Sequence, residues 1–190
     1  MAQKKAGKAE KPMKVSRICV LGPSFVGKTQ IVNRLVNNNF YPQYHETEEM
    51  ETYKIYYNRA QNVSSQPDFI SIEILDTFPQ DHPYLFTDPN SNDEARVMQD
   101  QLKHIIENKP GFDPDNSSTV KWINAFIFVY NSAEPETFQK LLKIIKSVHE
   151  MEESLALGHE DDPNARVKKY VIGTKKDLKQ QKKLLTVEDM

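Results

Sequence analysis

Val15-Ser16-Arg17-Ile18-Cys19-Val20-Leu21-Gly22-Pro23-Ser24-Phe25-Val26-Gly27-Lys28-Thr29 is the stretch from which the rest of the chain can be organised. Its first half is a mostly apolar run bounded by Gly22-Pro23, the pattern of a buried strand. Its second half, Gly22 to Thr29, fits G-x-x-x-x-G-K-[ST]. After Lys28 the apolar residues Ile31, Val32, Leu35 and Val36 fall on one helical face, and the Asn37-Asn38-Asn39 run ends that helix. Strand, glycine loop and helix in this order aim the loop amides at a phosphate chain from the start of a helix. On this reading Gly22, Ser24, Phe25, Val26, Gly27, Lys28 and Thr29, with the adjoining Gln30, line a nucleotide's phosphates. Lys28 neutralises the β and γ phosphates, and the Thr29 hydroxyl is a ligand for Mg²⁺.

Working outward, Thr52–Tyr57 (T-Y-K-I-Y-Y) and Phe69–Leu75 (F-I-S-I-E-I-L) read as strands that pair across a polar connection, Asn58–Pro67. Ala125–Tyr130 (A-F-I-F-V-Y) is another buried strand, and Phe138, Leu141, Leu142, Ile145 and Val148 mark the helix after it. Lys169–Gly173 (K-Y-V-I-G) is a further strand. Strands alternating with helices imply an α/β layer fold with a largely parallel sheet. Between Asp76 and Trp122 lies a proline-studded stretch, within which Glu94–Ile106 carries a helical pattern at Ala95, Met98, Leu102 and Ile105.

The 190 residues suffice for one domain with a substantial core, and a net charge of −2 offers no polyelectrolyte surface to nucleic acid or membrane. Residues 1–13, with Lys4, Lys5, Lys8 and Lys11 and few apolar side chains, read as a disordered basic arm. The single Cys19 excludes an internal disulfide framework and points to a reducing, cytoplasmic compartment. Neither end of the sequence shows a lipid-anchor motif.

A phosphate loop does not choose a base. Gly173-Thr174-Lys175-Lys176-Asp177-Leu178 follows a strand and gives T-K-x-D. The Asp177 carboxylate can accept hydrogen bonds from the guanine ring and exocyclic amine, which adenine cannot donate. The Lys175 stem can lie across the base. At this point the chain resembles a Ras-superfamily small GTPase over residues 14–190. Counting from Lys28 without a gap, the family's aromatic wall beside the base falls on Phe40, its effector-loop tyrosine on Tyr44 and its Mg²⁺-binding threonine on Thr47. The family's D-T-A-G-Q segment falls on Asp76-Thr77-Phe78-Pro79-Gln80, directly after a strand, and the asparagine of N-K-x-D is Thr174 here, as in Rho-type members. The resemblance implies a three-layer G domain, its sheet mostly parallel with one antiparallel edge strand. It further implies guanine-nucleotide contacts from Phe40, Thr47, Thr174, Lys175, Asp177 and Leu178, Mg²⁺ held by Thr29, Thr47 and Asp76, and hydrolysis aided by Gln80 and Lys28.

The chain departs from that pattern at several positions. Pro79 replaces the glycine whose N–H senses the γ-phosphate, and proline has no N–H. The lost charge-assisted bond corresponds to about 1.5–3 kcal/mol, roughly ten- to a hundredfold in preference for GTP over GDP. Phe78 beside it replaces a small residue, and Phe25 puts a bulky ring in the phosphate loop. An insertion at about 81–120 reads as a docking element for a partner. Leu185–Asp189 begins a capped helix where the sequence stops, so the domain is expected to be incomplete at that end, part of a longer chain in preference to one covered by a partner. The expected function is binding of GTP or GDP with Mg²⁺, with slow or absent hydrolysis, and presentation of effector surfaces at 41–50 and 79–116. The rival from another class is a pseudo-GTPase, a structural module in a stable cytoskeletal or ciliary assembly.

Overall fold

The computed structural model describes residues 14–43, 45, 47–59, 68–81, 99–100, 102–103, 105, 123–154 and 167–178. The basic arm, most of the 81–120 insertion and the helix start at Leu185 lie outside the described residues. In chain order the elements are β1 (Lys14–Leu21), α1 (Lys28–Asn37), β2 (Glu51–Asn58), β3 (Phe69–Asp76), β4 (Ala125–Asn131), α2 (Pro135–Ser154) and β5 (Lys168–Thr174). The strands form one sheet in the order β2-β3-β1-β4-β5. β2 pairs antiparallel with β3 and every other pairing is parallel. The expected α/β sheet with one antiparallel edge strand is therefore the one observed.

Placement in the sheet follows from composition. β1 lies between β3 and β4, and Cys19, Val20 and Leu21 are almost fully buried, which is why its sequence reads as a nearly continuous apolar run. Burial pushes the Cys19 thiol up, with Asp76 adding to it, so Cys19 acts as a small core side chain. On one face Val32 of α1 packs with Val20, Val26, Ile74 and Val129, joined by Ile31, Val36, Ile55 and Ile72. On the other face Leu141, Ile144, Val148 and Met151 of α2 pack on Cys19, Leu21, Leu75, Phe126 and Phe128. Sheet and helices thus form three layers.

Two details differ from the sequence reading. The stripe of α2 against the sheet is Leu141–Ile144–Val148–Met151, whereas Leu142 and Phe138 are substantially exposed. Phe138 sits instead at the helix start with its ring edge-on to Tyr130, centroids 5.1 Å apart. The helical pattern inside the insertion is real at 99–100, 102–103 and 105. There Leu102 and Ile105 are each 1% exposed and belong to the same core cluster as α2. That part of the insertion is anchored on the chain's own sheet.

A charged row crosses three strands on one sheet face. Glu73 is in register with Arg17 on one side and Lys54 on the other, with contacts of 2.6 Å and 3.1 Å. Burial opposes its charge, but Lys54 and Arg17 outweigh that and hold the carboxyl below the usual range. The row fixes register where the apolar pattern alone is weak.

The two leucines side by side on α2 test its orientation. Leu141→Ala should lower unfolding free energy by about 2–5 kcal/mol. Leu142→Ala should change it by less than about 0.5 kcal/mol. Equal losses in chemical denaturation would show that the buried stripe is misassigned.

Candidate functional site

The loop from Gly22 to Gly27 leaves the end of β1 and enters α1 at Lys28. Gly22 packs so closely on β4 that a Cβ there would overlap the Val129 carbonyl oxygen. Gly27 has φ +93°, a left-handed conformation that favours glycine. Phe25, also at positive φ (59°), holds that conformation against a steric cost of about 1–2 kcal/mol, with its ring 60% exposed. The Val26 side chain is buried in the α1-side cluster. The Lys28 side chain, 6% exposed, curls back over the loop and donates to the carbonyls of Gly22 (2.9 Å) and Pro23 (3.0 Å). An ammonium is therefore held in the mouth of the loop.

Next to it, oxygen donors converge. Thr29 Oγ1, in the first turn of α1, lies 3.0 Å from Thr47 Oγ1. Asp76 ends β3 with 0% exposure, and neither carboxylate oxygen has a hydrogen-bond partner among the described residues. Its carboxyl is pushed up to about 6; burial raises it, and the neighbouring Thr29 hydroxyl and Lys28 ammonium offset only part of that. A buried carboxylate with no close hydrogen-bond partner, near two hydroxyls, is the oxygen set that a hard divalent cation takes. These residues fit Mg²⁺.

On the other side of the loop, Thr174 at the end of β5 ties the loop to the sheet. Its hydroxyl lies 2.6 Å from the Val26 carbonyl and 3.0 Å from that of Tyr130. Its own carbonyl accepts from the Ser132 backbone N–H (3.0 Å) and hydroxyl. Lys175 takes a left-handed backbone (φ 52°), and Asp177 and Leu178 are exposed in the helical segment that follows. Gln30 holds the segment after α1, donating to the Tyr41 carbonyl (2.7 Å) and accepting from its N–H (3.0 Å). Phe40 beside it is 63% exposed. The fold thus gathers Gly22, Lys28, Thr29, Thr47 and Asp76 at one mouth and ties Thr174 to the loop. Phe40, Asp177 and Leu178 are exposed and Lys175 is half-buried, and among the described residues none of the four is hydrogen-bonded to that cluster. Tyr44 lies outside the described residues.

The Asp76–Gln80 segment is locked in place. The Thr77 hydroxyl donates to the Val20 carbonyl (2.6 Å), and Phe78 is 2% exposed within the α2-side core. Gln80, also 2% exposed, accepts from the Gly22 N–H (2.7 Å) and donates to the Thr77 hydroxyl (2.9 Å) and the Phe78 carbonyl. The Gln80 amide thus faces the base of the loop in this conformation and is occupied there. Sequence reading passed over Asp81, whose carboxylate accepts from the Ser24 N–H (2.6 Å) and hydroxyl (2.8 Å) and from Lys140 (2.8 Å). The only local signal was a charge directly after Gln80; Lys140, on α2, had none.

Residues 17–98 match the family model described as Roc, the Ras-of-Complex domain of DAPkinase. No curated protein matches the chain. The matched segment runs from β1 through the phosphate loop and the Asp76–Gln80 motif. Sheet order, loop position and this match over residues 17–98 are consistent with a Ras-superfamily G domain.

Proposed function

We propose that the chain binds a guanine nucleotide together with Mg²⁺ and turns it over slowly or not at all. The observation that carries this reading is the Asp76 carboxylate, buried and with no close hydrogen-bond partner among the described residues, near the Thr29 hydroxyl, which meets that of Thr47, and the Lys28 ammonium. A buried anion without partners is costly unless a cation completes it. Thr29, Thr47 and Asp76 would hold Mg²⁺, which when bound neutralises charge on the terminal phosphates. The loop amides and Lys28 bind the phosphate chain, while Lys175 and Asp177 take the base and Phe40 walls it.

Slow turnover is supported by the Asp76–Gln80 segment. Pro79 has no N–H to offer a terminal phosphate. Gln80 is engaged by Gly22, Thr77 and Phe78, and releasing it means breaking bonds that are fully buried. Phe78 anchors the backbone between them in the core. These features favour a second reading over a timed hydrolytic switch: a nucleotide-loaded pseudo-GTPase serving as a cytoplasmic, cytoskeletal or ciliary structural module. Partner surfaces would then lie at 41–50 and 79–116.

Identification of the nucleotide that co-purifies with the protein tests binding. Guanine nucleotide should be retained by the wild type and lost in Lys28→Ala, while Asp177→Asn should relax the preference for guanine. Retention unchanged by the first substitution, or preference unchanged by the second, would remove the site assignment.

Bound GTP followed for hours should show little conversion, and Gln80→Leu should leave that rate unchanged. Measurable hydrolysis that disappears in Gln80→Leu would sink the pseudo-enzyme reading.

Asp76→Asn should stabilise the metal-free protein near pH 8 by about 1–3 kcal/mol while abolishing stabilisation by Mg²⁺. The sign follows from a folded-state value of about 6, raised by burial. The ionised carboxylate destabilises the fold above that value, and the penalty fades as pH falls toward the ordinary carboxylate range. The gain from Asp76→Asn should therefore be absent near pH 4. A gain that persisted there would point to another cause.

A further inference from the structure

Asp81 stands between the phosphate loop and α2. One carboxylate oxygen accepts from both the backbone N–H and the hydroxyl of Ser24, and the other accepts from Lys140. Burial opposes the charge, but Lys140 and Ser24 outweigh it and hold the carboxyl below the usual range, so Asp81 is an anion at neutral pH. An anion on a phosphate-loop amide occupies a donor that the loop presents to phosphate.

The position of Lys28 tells which phosphate is concerned. The lysine of this motif reaches the β and γ phosphates, and here its ammonium lies on the carbonyls of Gly22 and Pro23. The Gly22–Ser24 end of the loop is thus the end that receives the terminal phosphate. A diphosphate stops short of it. A triphosphate adds negative charge beside the Asp81 carboxylate, and two like charges so close disfavour each other strongly where water is partly excluded.

We infer that Asp81 is a specificity-determining residue, a γ-phosphate surrogate that biases the site toward the nucleoside diphosphate and must leave Ser24 before a triphosphate binds well. The inference rests on the nucleotide-binding reading and deepens it. Lys140 sets the bias by clamping the carboxylate from α2, at 2.8 Å. A cleft of about 570 Å³, lined by Ser24, Phe25, Pro135 and Lys140 among others, adjoins the latch and gives the side chain room to swing out.

The test measures affinities of the full chain, stripped of nucleotide, for fluorescent GDP and for a fluorescent non-hydrolysable GTP analogue. Asp81→Asn keeps the shape and removes the charge; Asp81→Ala removes both. Both variants should bind the triphosphate about tenfold or more tightly than the wild type, the scale of one charge-assisted hydrogen bond, with diphosphate affinity unchanged. A triphosphate-to-diphosphate ratio that stays at the wild-type value, whether both affinities hold still or rise together, would overturn the selector while leaving nucleotide binding intact. Failure of wild type and variants alike to bind either nucleotide would overturn the selector and the reading beneath it.

Discussion

The close seating of Gly22 against the Val129 carbonyl is the contact on which the rest of the site depends. It presses the start of the phosphate loop onto β4, leaving no room for a side chain, so the loop must turn over the sheet edge there. Lys28 then curls back to the carbonyls of Gly22 and Pro23, and Thr174 reaches the Val26 carbonyl from β5. The loop is held by the ends of three neighbouring strands. Leu21, Asp76, Asn131 and Thr174, the last residues of the parallel strands, bring their chemistry to one rim, where open α/β sheets bind ligands.

Around that rim, two halves of the site obey opposite rules. The Asp76 side is left incomplete: its buried carboxylate has no close hydrogen-bond partner among the described residues, and Phe25 holds a backbone conformation that side chains resist. The cores on both sheet faces offset those costs. The Thr77–Gln80 side is complete instead, with its hydroxyl, ring and amide all buried and bonded inward. A phenylalanine in the core and a proline beside it favour rigidity in this segment.

Much of this was legible before any coordinates. Strand positions followed from apolar runs and agree with the sheet to within about a residue at each end, the usual margin for element boundaries. The gapless spacing from Lys28 to Thr47 anticipated that their neighbours would meet, and the Thr29 and Thr47 hydroxyls do. The buried stripe of α2 was less legible, because Phe138 and Leu142 are as apolar as Leu141 and Ile144. Only the position of the sheet separates those two faces. Leu102 and Ile105 showed a helical pattern within a proline-rich stretch, but nothing local revealed that they complete the main core.

By itself the sequence determined the layer architecture and the glycine loop between β1 and α1, and set the expectation of phosphate chemistry at the loop's mouth. Each of these rests on short-range patterns: hydrophobic period, glycine spacing and a lysine at a helix start. Tertiary structure alone decided which way the Gln80 amide points, that Asp76 has no close hydrogen-bond partner among the described residues, and that Asp81 joins Ser24 to Lys140. Those contacts span more than fifty residues of chain. A side chain's charge and length are written locally, but its partner is chosen by whatever the packed sheet brings within about 3 Å.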